Sequence, residues 1–149
     1  RTMNLRRFYL AYGMNTNLEQ MEQRCPAAES LGRVKLQDHK LVFKTCCDAV
    51  VSPGNVMECV LWSITDRCEQ ALDRLEGYPD FYSKKEVTVK YKNKPIRAMI
   101  YYMTDFYRSG LPSASYLKMV TEGYIDHDLN VDQIYNAIDE VDSYEHNTW

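Results

Sequence analysis

The chain has 149 residues, of which 45% are hydrophobic and 26% are charged, and its formal net charge is −3. This composition is typical of one globular domain with a sizeable core, so we predict a single domain over residues 1–149. The charge balance gives no support for nucleic-acid binding, and no apolar run is long enough to span a bilayer. Five cysteines without a Cys-x-x-Cys pair indicate free thiols in a reducing compartment, which predicts a cytoplasmic protein.

The first part of the chain predicts a strand, a short helix and then a group of strands. The apolar and aromatic run at residues 8–12 is typical of a buried strand. Asn17 can cap a helix over residues 18–24, which Pro26 ends. Four further strands are predicted, with turns at Asp38 and at residues 52–55, and they cover residues 30–36, 41–44, 48–51 and 57–64.

The second part predicts a helix, a β-hairpin and two more helices. Asp66 can cap the first helix with Glu69 three residues later, and Gly77 can end it. Its apolar stripe comprises Cys68, Ala71, Leu72 and Leu75. The hairpin joins residues 82–91 to residues 96–103 through a turn at residues 92–95. The last two helices are predicted at residues 113–122, with Gly123 as the stop, and from about Asn130 onwards.

A tetrapeptide at the end of the first strand, Tyr12-Gly13-Met14-Asn15, is a candidate binding site for an anion. Gly13 allows backbone angles that other residues resist, and Asn15 tolerates left-handed geometry. A strand-to-helix turn of this kind can direct several backbone N–H groups at one point, which suits a carboxylate or a developing oxyanion. An ordinary tight turn without a ligand is the alternative.

Glu76 is the candidate proton carrier, because it lies in the last turn of the helix that Gly77 ends. The helix dipole is negative there and gives a carboxylate no support, at a cost of on the order of 0.3–1 kcal/mol. A setting that raises the proton affinity of the carboxylate would make Glu76 a general base. The alternative is a solvated glutamate without a chemical role.

Six segments of the chain occur in the order and spacing typical of gamma-glutamylcyclotransferases, and the chain resembles this family from about residue 8 to about residue 138. They are Tyr12-Gly13-Met14-Asn15, Lys35-Leu36-Gln37-Asp38, Ser52-Pro53-Gly54, Val60-Leu61-Trp62, Leu72-Asp73-Arg74-Leu75-Glu76-Gly77 and Pro112-Ser113-Ala114-Ser115-Tyr116. The resemblance implies an α+β fold, a small mixed β-barrel flanked by helices. It also implies an enzyme that releases 5-oxoproline from a γ-glutamyl substrate.

The resemblance also implies roles for individual residues. Glu76 is similar to the catalytic carboxylate of the family, and the loop from Tyr12 to Asn15 resembles the one that holds the glutamyl group through backbone amides. Met14 stands where the family usually has serine, so a backbone N–H is kept and a hydroxyl is lost. Aromatic residues around the pocket are implied at Tyr82, Tyr101 and Tyr116.

The implied reaction needs no metal and no organic cofactor, and no histidine, cysteine or carboxylate spacing here is typical of a metal site. The expected partner is a small γ-glutamyl substrate, with no nucleic acid and no membrane. The leaving group can be an amino acid, glutathione or an amine, and the oligomeric state is left open. Two other functions stay open, a non-catalytic small-anion binding module of the same fold and a Glu-assisted amidohydrolase that uses water.

Overall fold

The protein is described by a computed structural model that covers residues 5–105 and 107–147. Within this part of the chain there are five strands, β1 (Arg6–Ala11), β2 (Glu29–Lys44), β3 (Cys46–Thr65), β4 (Tyr82–Tyr91) and β5 (Lys94–Met103). The four α-helices of the same part are α1 (Leu18–Arg24), α2 (Asp66–Glu76), α3 (Ala114–Asp126) and α4 (Asp132–Asn147). None of these described helices is both long enough and apolar enough to cross a membrane.

The strands form one sheet in the order β2-β3-β1-β5-β4, with β1 in the centre. β1 pairs antiparallel with β3 and parallel with β5, while the β2–β3 and β4–β5 pairs are antiparallel. The predicted α+β fold is confirmed, although the sheet is open and does not close into a barrel. Its two edge strands nevertheless approach each other, and His39 Nε2 of β2 lies 3.1 Å from Lys85 Nζ of β4.

β2 and β3 are two long strands where the sequence predicts four shorter ones. The predicted turns at Asp38 and at residues 52–55 face each other across the pair, because the register passes from Gln37↔Val56 to His39↔Val51. The backbone N–H of Gly54 donates to Asp38 Oδ1 over 2.9 Å, which ties the two irregular segments together. The chain reverses instead at Thr45, which has φ 69° between the paired residues Lys44 and Cys46.

Both ends of α2 are capped, and the N-terminal cap differs from the prediction. Thr65 is the N-cap residue, because its Oγ1 accepts a hydrogen bond from the backbone N–H of Cys68. Asp66, the predicted cap, lies inside the first turn and pairs with Arg7 of β1. The predicted C-terminal stop is present, since Gly77 has left-handed geometry with φ 65°. Within the predicted apolar stripe, Leu72 is fully buried, whereas Leu75 is 49% exposed.

α3 begins at Ala114 with Ser113 as its N-cap, close to the predicted start at residue 113, but Gly123 does not end it. The helix continues to Asp126, and Gly123 is buried where α3 packs on the turn that follows β1. A Cβ atom on Gly123 would lie 2.1 Å from Thr16 Oγ1 and 2.6 Å from the backbone nitrogen of Asn17. Glycine is therefore required here by the close approach of a helix to a loop.

The core lies against the sheet and takes residues from every strand and from all four described helices. Its largest fully buried side chains are Tyr124, Phe43, Leu10, Met21, Met57, Leu61, Ile64, Leu72, Ile100, Ile134, Val60 and Val120. Because β1 is central and its last residues are buried, the turn after it starts from the core of the molecule.

Candidate functional site

A cavity of about 270 Å³ lies where the turn after β1 meets the C-terminal end of α2. All eight residues that the sequence indicates as site residues line it, namely Tyr12, Gly13, Met14, Asn15, Glu76, Tyr82, Tyr101 and Tyr116. The other lining residues are Tyr9, Arg24, Cys46, Cys47, Leu75 and Phe81. The tyrosines at positions 9, 12, 82 and 101 are buried, whereas Leu75 is exposed, so the aromatic residues form the deep end.

The turn after β1 is a short 3-10 helix, Met14–Thr16. In this turn, Gly13 and Met14 form hydrogen bonds through their carbonyl oxygens. The carbonyl of Gly13 accepts from both the backbone N–H and the hydroxyl of Thr16, and the carbonyl of Met14 accepts from the N–H of Asn17. The backbone N–H groups of Gly13 and Met14 have no acceptor among the described residues. Two free donors at the wall of a cavity are what an anion cradle requires.

Gly13 is needed for space and not for left-handed geometry. Its φ is −126°, so it does not lie in the left-handed region. A Cβ atom at this position would lie 3.0 Å from Cys47 Cβ and 3.3 Å from the hydroxyl oxygen of Tyr116. The backbone of the turn therefore touches β3 directly, which replaces the reason that the sequence suggested for this glycine.

Glu76 is half-buried, and its carboxylate faces the cavity at the end of α2. Asn15 Nδ2 lies 3.4 Å from its Oε1, a long hydrogen bond. Burial raises the pKa of Glu76 from its ordinary value of 4.5 to about 7, while the charge of Arg24 and the hydrogen bond from Asn15 act in the opposite direction. Both protonation states are therefore populated near neutral pH, as a group that accepts and returns a proton requires.

The side chain of Asn15 is buried and joins Glu76 to two residues that the sequence did not indicate. Its Oδ1 accepts a hydrogen bond from Arg24 Nη1 over 2.7 Å, and its Nδ2 also donates to the hydroxyl of Tyr9 over 3.0 Å. The indole N–H of Trp62 donates to the backbone carbonyl of Asn15 over 3.0 Å. Asn15 is thus held from both its side chain and its backbone.

Most of the tyrosine hydroxyls at the cavity are bonded within its wall. Tyr12 donates to the carbonyl of Tyr101 over 2.7 Å, Tyr82 to the carbonyl of Cys47 over 2.7 Å and Tyr101 to Asp73 Oδ1 over 2.6 Å. The hydroxyl of Tyr116 accepts from the backbone N–H of Cys47 over 3.0 Å. Burial raises the pKa of each of these four phenols, so they stay neutral around pH 7.

The neighbouring residues Tyr101 and Tyr102 show the expected alternation of a strand. Tyr101 is buried at the cavity, whereas Tyr102 is half-buried and is not among the lining residues. Strand alternation also places Tyr9 on one face of β1. No motif beside Tyr9 in the sequence indicates that this face lines a cavity. Arg24 could be recognised from the sequence only as a cation in the last turn of α1.

Among residues 5–105 and 107–147, no group of three or more His, Cys, Asp or Glu side chains is arranged to hold a metal ion. The five cysteines are free thiols, and two of them, Cys46 and Cys47, line the cavity. Burial raises the pKa of both thiols, which keeps them protonated near neutral pH and makes them poor nucleophiles. Glu76 is therefore the group at this cavity best suited to proton transfer.

One family model, described as gamma-glutamyl cyclotransferase, AIG2-like, matches residues 9–119. A solved structure named gamma-glutamyl cyclotransferase is 29% identical, with 88% of this chain and 86% of that chain covered and a TM-score of 0.79. An uncharacterized protein from Homo sapiens is also 29% identical, with coverages of 87% and 85% and a TM-score of 0.76.

A yeast cyclotransferase described as specific to glutathione is 10% identical, with coverages of 95% and 97% and a TM-score of 0.59, which shows the fold alone. No curated protein sequence matches the chain significantly.

Proposed function

The chain belongs to the gamma-glutamyl cyclotransferase, AIG2-like family, and from this premise we propose that it cyclises the γ-glutamyl group of a small substrate to 5-oxoproline and releases an amino acid or amine. One observation carries the proposal. A half-buried carboxylate with a pKa of about 7, Glu76, shares a small cavity with the free backbone N–H groups of Gly13 and Met14. This pairs a proton carrier with donors for a negative charge.

The substrate supplies its own nucleophile. The α-nitrogen of the γ-glutamyl group attacks the γ-carbonyl carbon, a new C–N bond closes the five-membered ring, and the bond to the leaving nitrogen then breaks. Folding the substrate in the cavity makes this attack intramolecular, and such alignment can lower the barrier by about 7–11 kcal/mol. The deep, tyrosine-lined end of the cavity is suited to enclosing the folded glutamyl group.

Glu76 would carry the proton that the reaction moves. The α-ammonium loses two protons in total, and the leaving nitrogen gains two, so the overall reaction consumes none. As a carboxylate, Glu76 takes a proton from the α-nitrogen, and as the acid it returns a proton to the departing amine. A pKa of about 7 suits both steps near neutral pH.

The turn after β1 would stabilise negative charge. The free N–H groups of Gly13 and Met14 can bind the α-carboxylate of the glutamyl group or the oxyanion that forms at its γ-carbon. Either contact uses backbone atoms, so methionine can replace the usual serine at position 14 without removing the donor.

The test separates cyclisation from hydrolysis by product and by isotope. A panel of γ-glutamyl amino acids, glutathione and γ-glutamyl amines is incubated in oxygen-18 water, and the products are measured by mass. We expect unlabelled 5-oxoproline from at least one compound and no turnover of its N-acetyl analogue, which binds as a competitive inhibitor. Labelled free glutamate as the main initial product would establish an amidohydrolase instead. Binding of 5-oxoproline without turnover of any compound would establish a binding module.

A further inference from the structure

Arg24 is a cation with an unusual position, since it is half-buried, lines the cavity and lies at the end of α1. Every other described arginine is exposed, and no carboxylate of the described residues lies within 4.0 Å of Arg24. Its contact in the cavity is the 2.7 Å hydrogen bond to Asn15 Oδ1. Charged side chains are seldom buried without a charged partner, so a surface ion pair does not account for the position of Arg24.

The amide of Asn15 could in principle lie in two orientations that differ by a half-turn. A guanidinium has only donors, so the oxygen of the amide must face Arg24. The amide nitrogen is then forced to the other side, where it donates to Tyr9 and to Glu76. Arg24 therefore decides which end of the amide meets the carboxylate.

We propose that Arg24 is a positioning residue for Glu76, which it serves by holding the amide of Asn15 so that an N–H donor, and not the amide oxygen, faces the carboxylate. This inference rests on the proposed role of Glu76 as the proton carrier. A donor at 3.4 Å favours the ionised form of the carboxylate, whereas an oxygen in the same place repels it. The N–H donor thereby increases the fraction of Glu76 that is ionised at neutral pH and can act as a base.

The other groups around Glu76 do not titrate near pH 7. They are the phenols of Tyr9 and Tyr12 on β1 and Tyr82 on β4, and the thiols of Cys46 and Cys47 on β3. Burial raises the pKa of all five, so each is neutral in this range. Arg24 of α1 is the charged residue that faces Glu76 from the remaining side, and a titration near pH 7 is that of Glu76 itself.

The experiment reads the ionisation of Glu76 directly, by carbon-13 NMR titration of side-chain carboxyl groups in glutamate-labelled protein. The resonance is assigned by its loss in Glu76→Gln. We expect Arg24→Met to raise the pKa of Glu76 by about one unit. The matched control is Arg67→Met, which removes the same charge from an exposed position in the first turn of α2 and should leave that pKa unchanged. If Arg24→Met does not fold, Arg24→Gln replaces it, because a glutamine loses the charge and no longer forces one amide orientation.

A double-mutant comparison separates action through Asn15 from direct attraction between the two charges. In an Asn15→Ala background we expect Arg24→Met to shift the pKa of Glu76 by less than in the parent protein, because the direct attraction of the Arg24 charge remains and only the action through the amide is lost. The acid limb of the kcat/KM profile should move upward with the NMR value. An unchanged pKa in Arg24→Met, an equal shift in Arg67→Met or fully additive shifts would each overturn the proposal. Because the titration needs no turnover, it decides this point even if Glu76→Gln proves active and the proposed function fails.

Discussion

The ionised form of Glu76, which the proposed reaction needs, is the form that burial in the folded protein disfavours. Burial raises its pKa from 4.5 to about 7 in the folded protein, so folding favours the protonated form. The stabilising contribution of this group is complete below about pH 4.5, and it is lost as the pH rises to about 7. At neutral pH the folded protein thus carries a partly ionised carboxylate that it stabilises less well than water does.

The substitution Glu76→Gln should therefore remove activity and add stability at alkaline pH. Turnover should fall by roughly 10²–10⁴-fold, because glutamine cannot accept the proton. The free energy of unfolding is measured with urea for the variant and for the parent protein at pH 4 and at pH 8. The difference, variant minus parent, should be larger at pH 8 than at pH 4 by at most about 3 kcal/mol. The control Glu22→Gln, at an exposed position of α1, should show neither effect. Near-normal turnover, or a stability gain that is the same at both pH values, would contradict the assignment.

The cradle can be tested by two neighbouring substitutions with opposite expected results. Gly13→Val should abolish turnover and weaken the binding of 5-oxoproline in calorimetry, because even a Cβ atom would lie 3.0 Å from Cys47 Cβ. Met14→Ser should keep both within several-fold, since the backbone donor at position 14 is unchanged. A Gly13→Val protein that binds 5-oxoproline as well as the parent would show that the anion is held elsewhere.

At the scale of elements, the sequence predicts best where the signal is local. The hairpin of β4 and β5 follows from the alternation in each strand and from its turn residues, and Lys92 and Asn93 both have positive φ there. Prediction is poorer for β2 and β3, because a turn signal such as residues 52–55 is also compatible with an irregularity inside a long antiparallel pair. The pairing partner decides between the two, and it lies more than ten residues away.

Gly123 is a second position where a local sequence signal is not enough to predict the structure. Inside a helical pattern a glycine is an ordinary stop signal, and only the packing of α3 on Thr16 and Asn17 reveals its other role. No local property of residues 113–126 indicates that contact. The contact joins α3 to the turn that follows Gly13, so the helix packs against the loop that forms one wall of the candidate site.

Gly123→Ala should consequently destabilise the protein and disturb the site together. The added methyl would overlap Thr16 Oγ1 at 2.1 Å, and overpacking of this kind costs about 1–3 kcal/mol or more. We expect a lower urea midpoint and weaker binding of 5-oxoproline at temperatures where the variant is still folded. Glu122→Ala, one residue earlier and exposed, is the control and should leave both unchanged. Unchanged stability in Gly123→Ala would mean that α3 can move away from the turn freely.

At the scale of the whole molecule, the candidate site could be predicted from the order of motifs but not from any one of them. Glu76 and the loop from Tyr12 to Asn15 are 61 residues apart at their nearest hydrogen bond. Resemblance to a family places such segments together, whereas local periodicity cannot. Arg24 was missed because its importance depends on the contact with Asn15, which exists only in the folded chain.

Activity should not depend on a bound metal ion. The proposed reaction uses a nucleophile within the substrate and one carboxylate, so it requires no Lewis acid. Turnover of the best γ-glutamyl compound should be equal before and after dialysis against a strong chelator. Loss of turnover that zinc or magnesium restores would contradict this expectation and would require a site formed by other residues.

The central position of β1 has a consequence for how the protein opens. Loops at binding sites are commonly drawn from the least stable parts of a structure, which unfold locally while the rest stays intact. Here the loop continues directly from a strand paired on both sides, and it is fixed by the indole of Trp62 and by α3. Amide hydrogens of the buried part of β1, residues 9–11, should exchange with solvent only through global unfolding, and the cradle is attached to this slowly exchanging segment. The protein should therefore lose its binding site and its fold in a single cooperative event, without an intermediate in which the site alone is disordered.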